Sequence, residues 1–113
     1  MKLYGIKNCD SVKKAVRFFR AGNIDFEMVD FKERSVGCDT IDRWLQQIPI
    51  EKLFNSRSTT YRTLELKKSN LDRAGKREWL CRENMLIKRP VVECDDGRII
   101  VGFDEERYKE LFQ

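Results

Sequence analysis

The sequence contains no histidine. This absence excludes Ser-His-Asp and Cys-His pairs of nucleophile and base, and it excludes every zinc site that needs an imidazole ligand. A catalytic cysteine in this chain therefore has to be activated by cations and backbone dipoles. The missing histidine favours thiol redox or transfer chemistry over hydrolysis.

Long apolar runs are also missing, since no stretch reaches the length of a membrane span and the N-terminus has no signal-peptide core. The four cysteines, Cys9, Cys38, Cys81 and Cys94, show no C-x-x-C pair and no metal-ligand spacing. We expect reduced thiols in a cytoplasm, with no metal site and no membrane partner.

Charge of one sign is not concentrated anywhere along the chain. The 23 basic and 19 acidic residues leave a net charge of +4, and the basic residues form no run of the kind that binds RNA or DNA. We therefore expect no direct nucleic-acid partner. The length of 113 residues predicts a single domain over residues 1–113.

The first third reads as strand, helix, strand. Residues 2–7 form a short apolar run, residues 10–21 carry an apolar stripe at helical spacing that Gly22 ends, and residues 24–30 alternate between apolar and polar. Short joints between these elements predict a right-handed βαβ unit with two parallel strands.

The middle third is predicted to be helical, at residues 41–48, 64–66 and 72–84. Asp39 or Thr40 is expected to cap the first of these helices and Pro49 to close it. A stretch rich in Ser and Thr, residues 55–60, interrupts the pattern.

The last third predicts two strands, residues 90–94 and 98–101, joined by an Asp-Asp-Gly hairpin turn. Asp104 is expected to cap a final helix, with Phe103 and Tyr108 in a hydrophobic staple. The order is βαβ, a helical insert, then ββα, so the fold class is α/β with a thioredoxin-like four-stranded mixed sheet flanked by helices. Pro90 opens the third strand, where this fold places a cis-proline, and the sequence leaves open whether its bond is cis.

Cys9 is the strongest candidate for a functional residue. It ends the first apolar run and immediately precedes the first helix, so the unpaired amides and the dipole of that helix favour the thiolate over the thiol. Lys7, Lys13 and Lys14 act in the same direction. The alternative is a buried structural cysteine, against which the polar neighbours of Cys9 argue.

Three segments together resemble the arsenate reductase (ArsC-like) family, which also contains the Spx transcriptional regulators. They are residues 3–15 (LYGIKNCDSVKKA), 55–62 (NSRSTTYR) and 87–92 (IKRPVV). The resemblance runs essentially from end to end. It is greatest to a small uncharacterised branch of bacterial ArsC-like proteins that have a single cysteine at this site.

The resemblance implies a glutathione-dependent thiol reductase. In the family the cysteine attacks the arsenic of arsenate, glutathione captures the adduct, and a glutaredoxin-type reductant releases arsenite. Carried across, Cys9 is the nucleophile and Arg57 and Arg89 bind an oxyanion or a carboxylate of glutathione, because guanidinium offers paired donors to both. Lys7 and Ser11 complete the predicted binding set, and no cofactor is expected to be bound.

The sequence departs from the family pattern at three places. Gly5 stands where glutathione-coupled arsenate reductases carry a histidine, and Val101 falls at or near the place of a third arginine. Val12 replaces a hydroxyl residue of the reductases and the second cysteine of the Spx redox switch. These departures leave the full oxyanion clamp in doubt and exclude a local disulfide switch.

A lone reactive thiol needs a second thiol to complete a redox cycle. Glutathione is the expected resolver, and Cys38, interpreted as part of a mobile loop, is the best internal candidate, whereas Cys81 and Cys94 look structural. Two other hypotheses stand beside the enzyme. One is a Spx-like regulator that binds the RNA polymerase alpha subunit without thiol catalysis, and the other is a structural thioredoxin-like protein with a residual Cys9.

Overall fold

The computed structural model describes residues 1–113. In chain order the strands and α-helices are β1 (Lys2–Gly5), α1 (Asp10–Ala21), β2 (Glu27–Asp30), α2 (Cys38–Leu45), α3 (Ile50–Leu53), α4 (Thr59–Thr63), α5 (Arg73–Arg82), β3 (Val91–Glu93), β4 (Ile99–Val101) and α6 (Glu105–Phe112). Two short 3-10 helices, Leu66–Ser69 and Asn84–Leu86, flank α5. None of the helices is both long enough and apolar enough to cross a membrane.

The chain divides into two compact units, which we describe separately. The sheet unit comprises Met1–Arg34 and Arg89–Gln113, and the helical unit comprises Ser35–Lys88. The single domain predicted over residues 1–113 stays a prediction.

The sheet unit contains all four strands, in the order β2-β1-β3-β4. Strand β1 pairs in parallel with β2 and antiparallel with β3, and β3 pairs antiparallel with β4. This confirms the predicted mixed sheet with its parallel βαβ pair. Strand β2 begins at Glu27 rather than at residue 24, because Ile24 still donates its N–H to the carbonyl of Phe19, at 2.8 Å, as the chain leaves α1.

The core of the sheet unit lies where α1 and α6 pack on one another and on the sheet. Its buried residues are Leu3, Val12, Ala15, Phe19, Val92, Ile100 and Tyr108. The rings of Phe19 and Tyr108 stack with their centroids 5.6 Å apart. Asp104 caps α6 as predicted, accepting the N–H of Arg107 at 3.3 Å, and the ring of Phe103 lies 4.8 Å from that of Tyr108 in the expected staple.

The helical unit corrects one predicted cap. Helix α2 begins at Cys38 with Gly37 as its N-cap, so Asp39 and Thr40 lie inside the first turn. Gly37 has the extended backbone angles of a cap residue (φ −96°, ψ −172°). The helix therefore starts at least two residues earlier than the side-chain pattern predicts. Arg77 of α5 donates from Nε and Nη2 to the carboxylate of Asp42 on α2, at 2.9 and 2.6 Å.

The cysteines of the helical unit contradict the expectation of four reduced thiols. Cys38 and Cys81 form a disulfide, with their Cα atoms 5.0 Å apart. Cys38 is therefore neither in a mobile loop nor a free resolving thiol for Cys9. The contact could not be predicted from the sequence, because the two cysteines are 43 positions apart and meet only where α2 and α5 lie side by side. Only Cys9 and Cys94 are free.

Candidate active site

Cys9 stands at the strand-to-helix junction, as predicted. It is the N-cap residue of α1 with extended backbone angles (φ −136°, ψ 125°), and its carbonyl accepts the N–H of Lys13 at 2.9 Å. Its own side chain makes no capping hydrogen bond, and the residue is partly exposed. The N–H groups in the first turn of α1 therefore donate no hydrogen bond to the side chain of their N-cap residue, which is a thiol rather than a carboxylate or a hydroxyl.

Asp30 ties down the loop that carries Cys9. It lies at the end of β2 and is only 6% exposed. One carboxylate oxygen, Oδ2, accepts the N–H of Lys7 at 3.1 Å, and the other, Oδ1, accepts the N–H of Lys32 at 2.8 Å. A buried carboxylate needs such donors to offset the loss of hydration.

Sequence reasoning missed this role of Asp30. The available signal was an acidic residue at the end of a strand whose preceding positions are apolar, residues 28–30. Such a carboxylate is stable in a buried position only when backbone donors are at hand. Loops at the carboxyl end of a parallel strand pair supply those donors.

Lys7 is exposed, and its ammonium group is engaged by a neighbouring carboxylate. Nζ lies 3.0 Å from Oε1 of Glu33. The hydrogen bond to Glu33 and the attraction of its charge raise the pKa of Lys7 above its usual value. The predicted contact of Lys7 with substrate therefore competes with this ion pair and stays a prediction.

Arg89 and Pro90 lie at the same end of the sheet as the loop of Cys9. Tyr4 of β1 is opposite Val91 of β3, so the antiparallel register brings Pro90 next to the end of β1. The bond between Arg89 and Pro90 is cis, which answers the question that the sequence left open. The carbonyl of Pro90 accepts the N–H of Gly102 at 2.8 Å. Arg89 is half-buried, with its Nε atom shielded from solvent.

The remaining predicted residues fall in different parts of the chain. Ser11 is partly buried in the first turn of α1, two residues after Cys9. Arg57 belongs to the helical unit, in the exposed segment before α4, where its carbonyl accepts a hydrogen bond from Nη1 of Arg62 at 3.1 Å.

The sheet unit thus brings Cys9, Lys7, Ser11 and the Arg89-Pro90 segment to one end of its sheet. The anion-binding role of each stays a prediction.

Gly5 and Val12 share one space beside this site. A Cβ atom at position 5 would lie 2.5 Å from Cγ2 of Val12, which is closer than two carbon atoms can approach. Strand β1 and helix α1 therefore pack backbone to side chain at this point. Gly5 and Val12 are two of the three positions at which the sequence departs from the family pattern. Because each occupies the space beside the other, these two departures depend on one another.

Cys94, the other free thiol, differs from Cys9 in its surroundings. Burial, the largest influence, raises the pKa of Cys94 above its usual value of 9.0. Its N–H donates to the carbonyl of Arg98 across the β3–β4 hairpin, at 2.9 Å. Cys94 is thus an internal reference for the reactivity of Cys9. No three His, Cys, Asp or Glu side chains come together in a way that would hold a metal ion.

The comparisons with known proteins agree on one group. A family model described as the ArsC family matches residues 4–111. An uncharacterised protein of Haemophilus influenzae is 36% identical over 111 residues, covering 97% of this chain and 96% of the relative. The global transcriptional regulator Spx of Lactiplantibacillus plantarum is 23% identical over 111 residues, covering 96% of this chain and 83% of the regulator.

A solved structure extends the similarity to three dimensions. An arsenate reductase (ArsC) related protein from Brucella melitensis is 40% identical, with a TM-score of 0.76. The match covers 99% of this chain and 93% of that protein.

Proposed function

The chain belongs to the ArsC family, and on that premise we propose that it is a glutathione-dependent thiol reductase with Cys9 as its nucleophile. The observation that carries the proposal is the position of Cys9. A partly exposed thiol at the N-cap of a 12-residue helix, with no capping hydrogen bond of its own, is placed to react as a thiolate. The proposed location is the cytoplasm, which supplies glutathione, so the Cys38–Cys81 disulfide has to persist against that reductant.

The proposed reaction uses Cys9, two further thiols and one oxyanion. The Cys9 thiolate attacks the central atom of the oxyanion, arsenate in the family pattern, and a hydroxide leaves as water after taking up a proton. The thiolate of glutathione then attacks the sulfur of Cys9. The sulfur–arsenic bond breaks with its electron pair on arsenic, which leaves as arsenite, and a mixed disulfide of Cys9 and glutathione remains.

A thiol other than Cys9 and the first glutathione completes the cycle. The thiolate of another glutathione, or of a glutaredoxin-type protein, attacks the glutathione sulfur of the mixed disulfide, and Cys9 leaves as a thiolate. Two thiols are oxidised to one disulfide for each oxyanion reduced, so the electrons balance. Arg89 and Arg57 are proposed to bind the anionic groups, with Lys7 and Ser11 assisting Cys9 at the end of the sheet.

The first experiment measures the alkylation rate of each cysteine against pH, resolved by peptide mass spectrometry. Cys94 is the internal control, because burial raises its pKa. We expect Cys9 to react at clearly lower pH than both Cys94 and a cysteine in an unfolded peptide of this chain. If Cys9 reacts no earlier than Cys94, or not at all, the catalytic role of Cys9 is wrong.

The second experiment measures arsenite formed from arsenate with glutathione and a glutaredoxin. We expect turnover by the native protein and none by the Cys9→Ser variant, with the Cys94→Ser variant as the matched control. Equal turnover in the native protein and the Cys9→Ser variant would contradict the proposal.

The similarity to Spx supports a second candidate, a regulator that binds RNA polymerase. This candidate predicts that the polymerase alpha subunit is retained on the immobilised protein. It also predicts equal retention by the native protein and the Cys9→Ser variant, since binding would not use the thiol. Retention without any glutathione-dependent turnover would favour the regulator over the enzyme.

A further inference from the structure

A groove of about 440 Å³ opens in the sheet unit between α1 and β2. We call it the α1–β2 groove. Its walls are residues of α1 on one side and Phe26 and Met28 on the other. Its volume lies within the range of pockets that hold small molecules. Apart from Lys7 at its edge, the reaction proposed above uses none of the residues that line it.

The floor of the groove is apolar and fixed in place. Phe26 and Met28 are two residues apart, so they lie on the same side of the chain as it enters β2. The ring of Phe26 contacts the buried ring of Phe19, with centroids 5.5 Å apart. Val16, Phe26 and Met28 all pack against the core and yet remain partly exposed. The floor is therefore a preformed apolar surface that an occupant would cover.

The rim of the groove carries unpaired positive charge. Lys13, Arg17 and Arg20 line it from α1, and their spacing of four and three residues places them on one face of the helix. None of the three forms an ion pair, although the chain has 19 acidic residues. Lys7, at the edge of the groove, is in contrast paired with Glu33. The positive potential of the rim is therefore available to a ligand.

The two ends of the groove differ in charge. A second cavity of about 390 Å³ shares Arg20, Phe26 and Met28 with the first and continues past Ile24 to Asp25. The groove thus continues past Arg20 into a more polar surface that ends at a carboxylate. A molecule with one anionic end would place that end at Arg17 and its neighbours Lys13 and Arg20, and its apolar body over Phe26 and Met28.

We propose that the α1–β2 groove binds a small amphipathic anion, with a carboxylate, sulfonate or phosphate head and an aromatic or acyl body. The head is bound by charge-assisted hydrogen bonds from the α1 cations, and the body covers the half-exposed floor. The charge complementarity and the concave shape of the groove favour such a ligand over a flat protein contact.

The test uses anilinonaphthalene sulfonate, an aromatic sulfonate whose fluorescence rises in apolar surroundings. We expect saturable binding at one site by the native protein, and about tenfold weaker binding by the Arg17→Gln/Arg20→Gln variant. The control variant, Lys52→Gln/Lys67→Gln, removes the same charge from exposed positions of the helical unit and is expected to bind as the native protein does. Equal weakening in both variants, or no saturable binding by the native protein, would overturn the proposal.

Backbone NMR shifts provide the second readout, because they locate the probe. We expect the largest shifts at Val16, Arg17, Phe26 and Met28, and no displacement of the probe by glutathione. Displacement by glutathione would make the groove part of the thiol site and refute a separate ligand. Sedimentation with anionic phosphatidylglycerol vesicles that the Arg17→Gln/Arg20→Gln variant loses would assign the cations to a membrane surface, which also refutes a small ligand.

Discussion

The carboxylate of Asp30, at the end of β2, binds the loop that carries Cys9. Its two oxygens accept backbone N–H groups on either side of the end of β2, from Lys7 and from Lys32. The first of these lies two residues before Cys9. The carbonyl of Gly5 at one end of the loop and that of Cys9 at the other also accept hydrogen bonds, and the contact with Asp30 lies between them. We regard Asp30 as a positioning residue for Cys9.

Replacing Asp30 separates this role from general stability. We expect Asp30→Ala to lower the free energy of unfolding by about 2 kcal/mol, because two backbone donors in partly buried hydrogen bonds lose their acceptor. It should also slow the alkylation of Cys9 at fixed pH, whereas Asp30→Asn, which keeps one acceptor oxygen, should retain more of that rate. Urea denaturation and peptide-resolved alkylation measure the two effects. Unchanged alkylation in a folded Asp30→Ala protein would show that the loop holds its shape without Asp30.

Arg89 is the arginine for which the fold offers the strongest case, because its neighbour Pro90 lies beside the end of β1. We expect Arg89→Ala to raise the Michaelis constant for an anionic substrate about tenfold or more, since a bidentate contact would be lost. Arg98→Ala is the control, because Arg98 pairs with Asp96 on the hairpin, with Nε and Oδ2 2.8 Å apart. Arg89→Lys, which keeps the charge but not the paired donors, should fall between the two. A larger effect from Arg98→Ala would mean that the anion site is elsewhere.

At the level of elements, the helices and strands with a clear apolar period were predictable. Helix α1 has the predicted bounds, residues 10–21, because its stripe, its polar start and Gly22 all agree. Helix α6 and its Asp104 cap follow the same logic. Helix α2 begins earlier than predicted. Its N-cap, Gly37, has the extended backbone angles of a cap but no side chain that could form the capping hydrogen bond, so the residue pattern did not indicate it.

Contacts between distant elements were not predictable from these residues. The pairing of Cys38 with Cys81 depends on α2 and α5 lying side by side, and a single sequence carries no record of that. The same is true of Asp30, whose partners are backbone groups of another loop. The location of Cys9 was predictable because strand, thiol and helix follow one another along the chain.

The disulfide should stabilise the helical unit by restricting its unfolded chain. A cross-link over 43 residues predicts a gain of about 4 kcal/mol from loop closure. We expect Cys38→Ser and Cys81→Ser to lower the free energy of unfolding alike, and a reductant to lower that of the native protein but not that of either variant. Urea denaturation with and without dithiothreitol measures this, with Cys94→Ser as the control that keeps the reductant effect. A reductant effect that persists in Cys38→Ser would contradict the assignment.

The stability of the molecule as a whole should fall in alkaline solution. Burial raises the pKa of Tyr108 above its usual value of 10.0, and burial also raises that of Cys94 above 9.0. A group whose pKa is raised by folding stabilises the protein below its unfolded pKa and loses that contribution as pH rises through the folded value. The loss should therefore begin near pH 9 with Cys94 and continue above pH 10 with Tyr108.

Urea denaturation across this range measures the effect. We expect Tyr108→Phe to flatten the decline above pH 10. It should also cost about 1 kcal/mol at neutral pH, because the hydroxyl donates to the carbonyl of Gly102 at 2.8 Å. Tyr61→Phe, at a partly exposed ring, is the matched control and should leave the pH dependence intact. A decline as steep in Tyr108→Phe as in the native protein would assign the alkaline loss to other groups.

The shared space of Gly5 and Val12 limits the order in which substitutions can accumulate. With Val12 in place, Gly5→His forces its Cβ into a methyl group at 2.5 Å, so the histidine typical of the glutathione-coupled reductases cannot enter first. Val12→Ser removes one of the two γ branches that lie against position 5, so the second step then becomes accessible. The two positions are therefore epistatic. Val12 in helix α1 has to be replaced before a histidine can be accommodated at position 5 in strand β1.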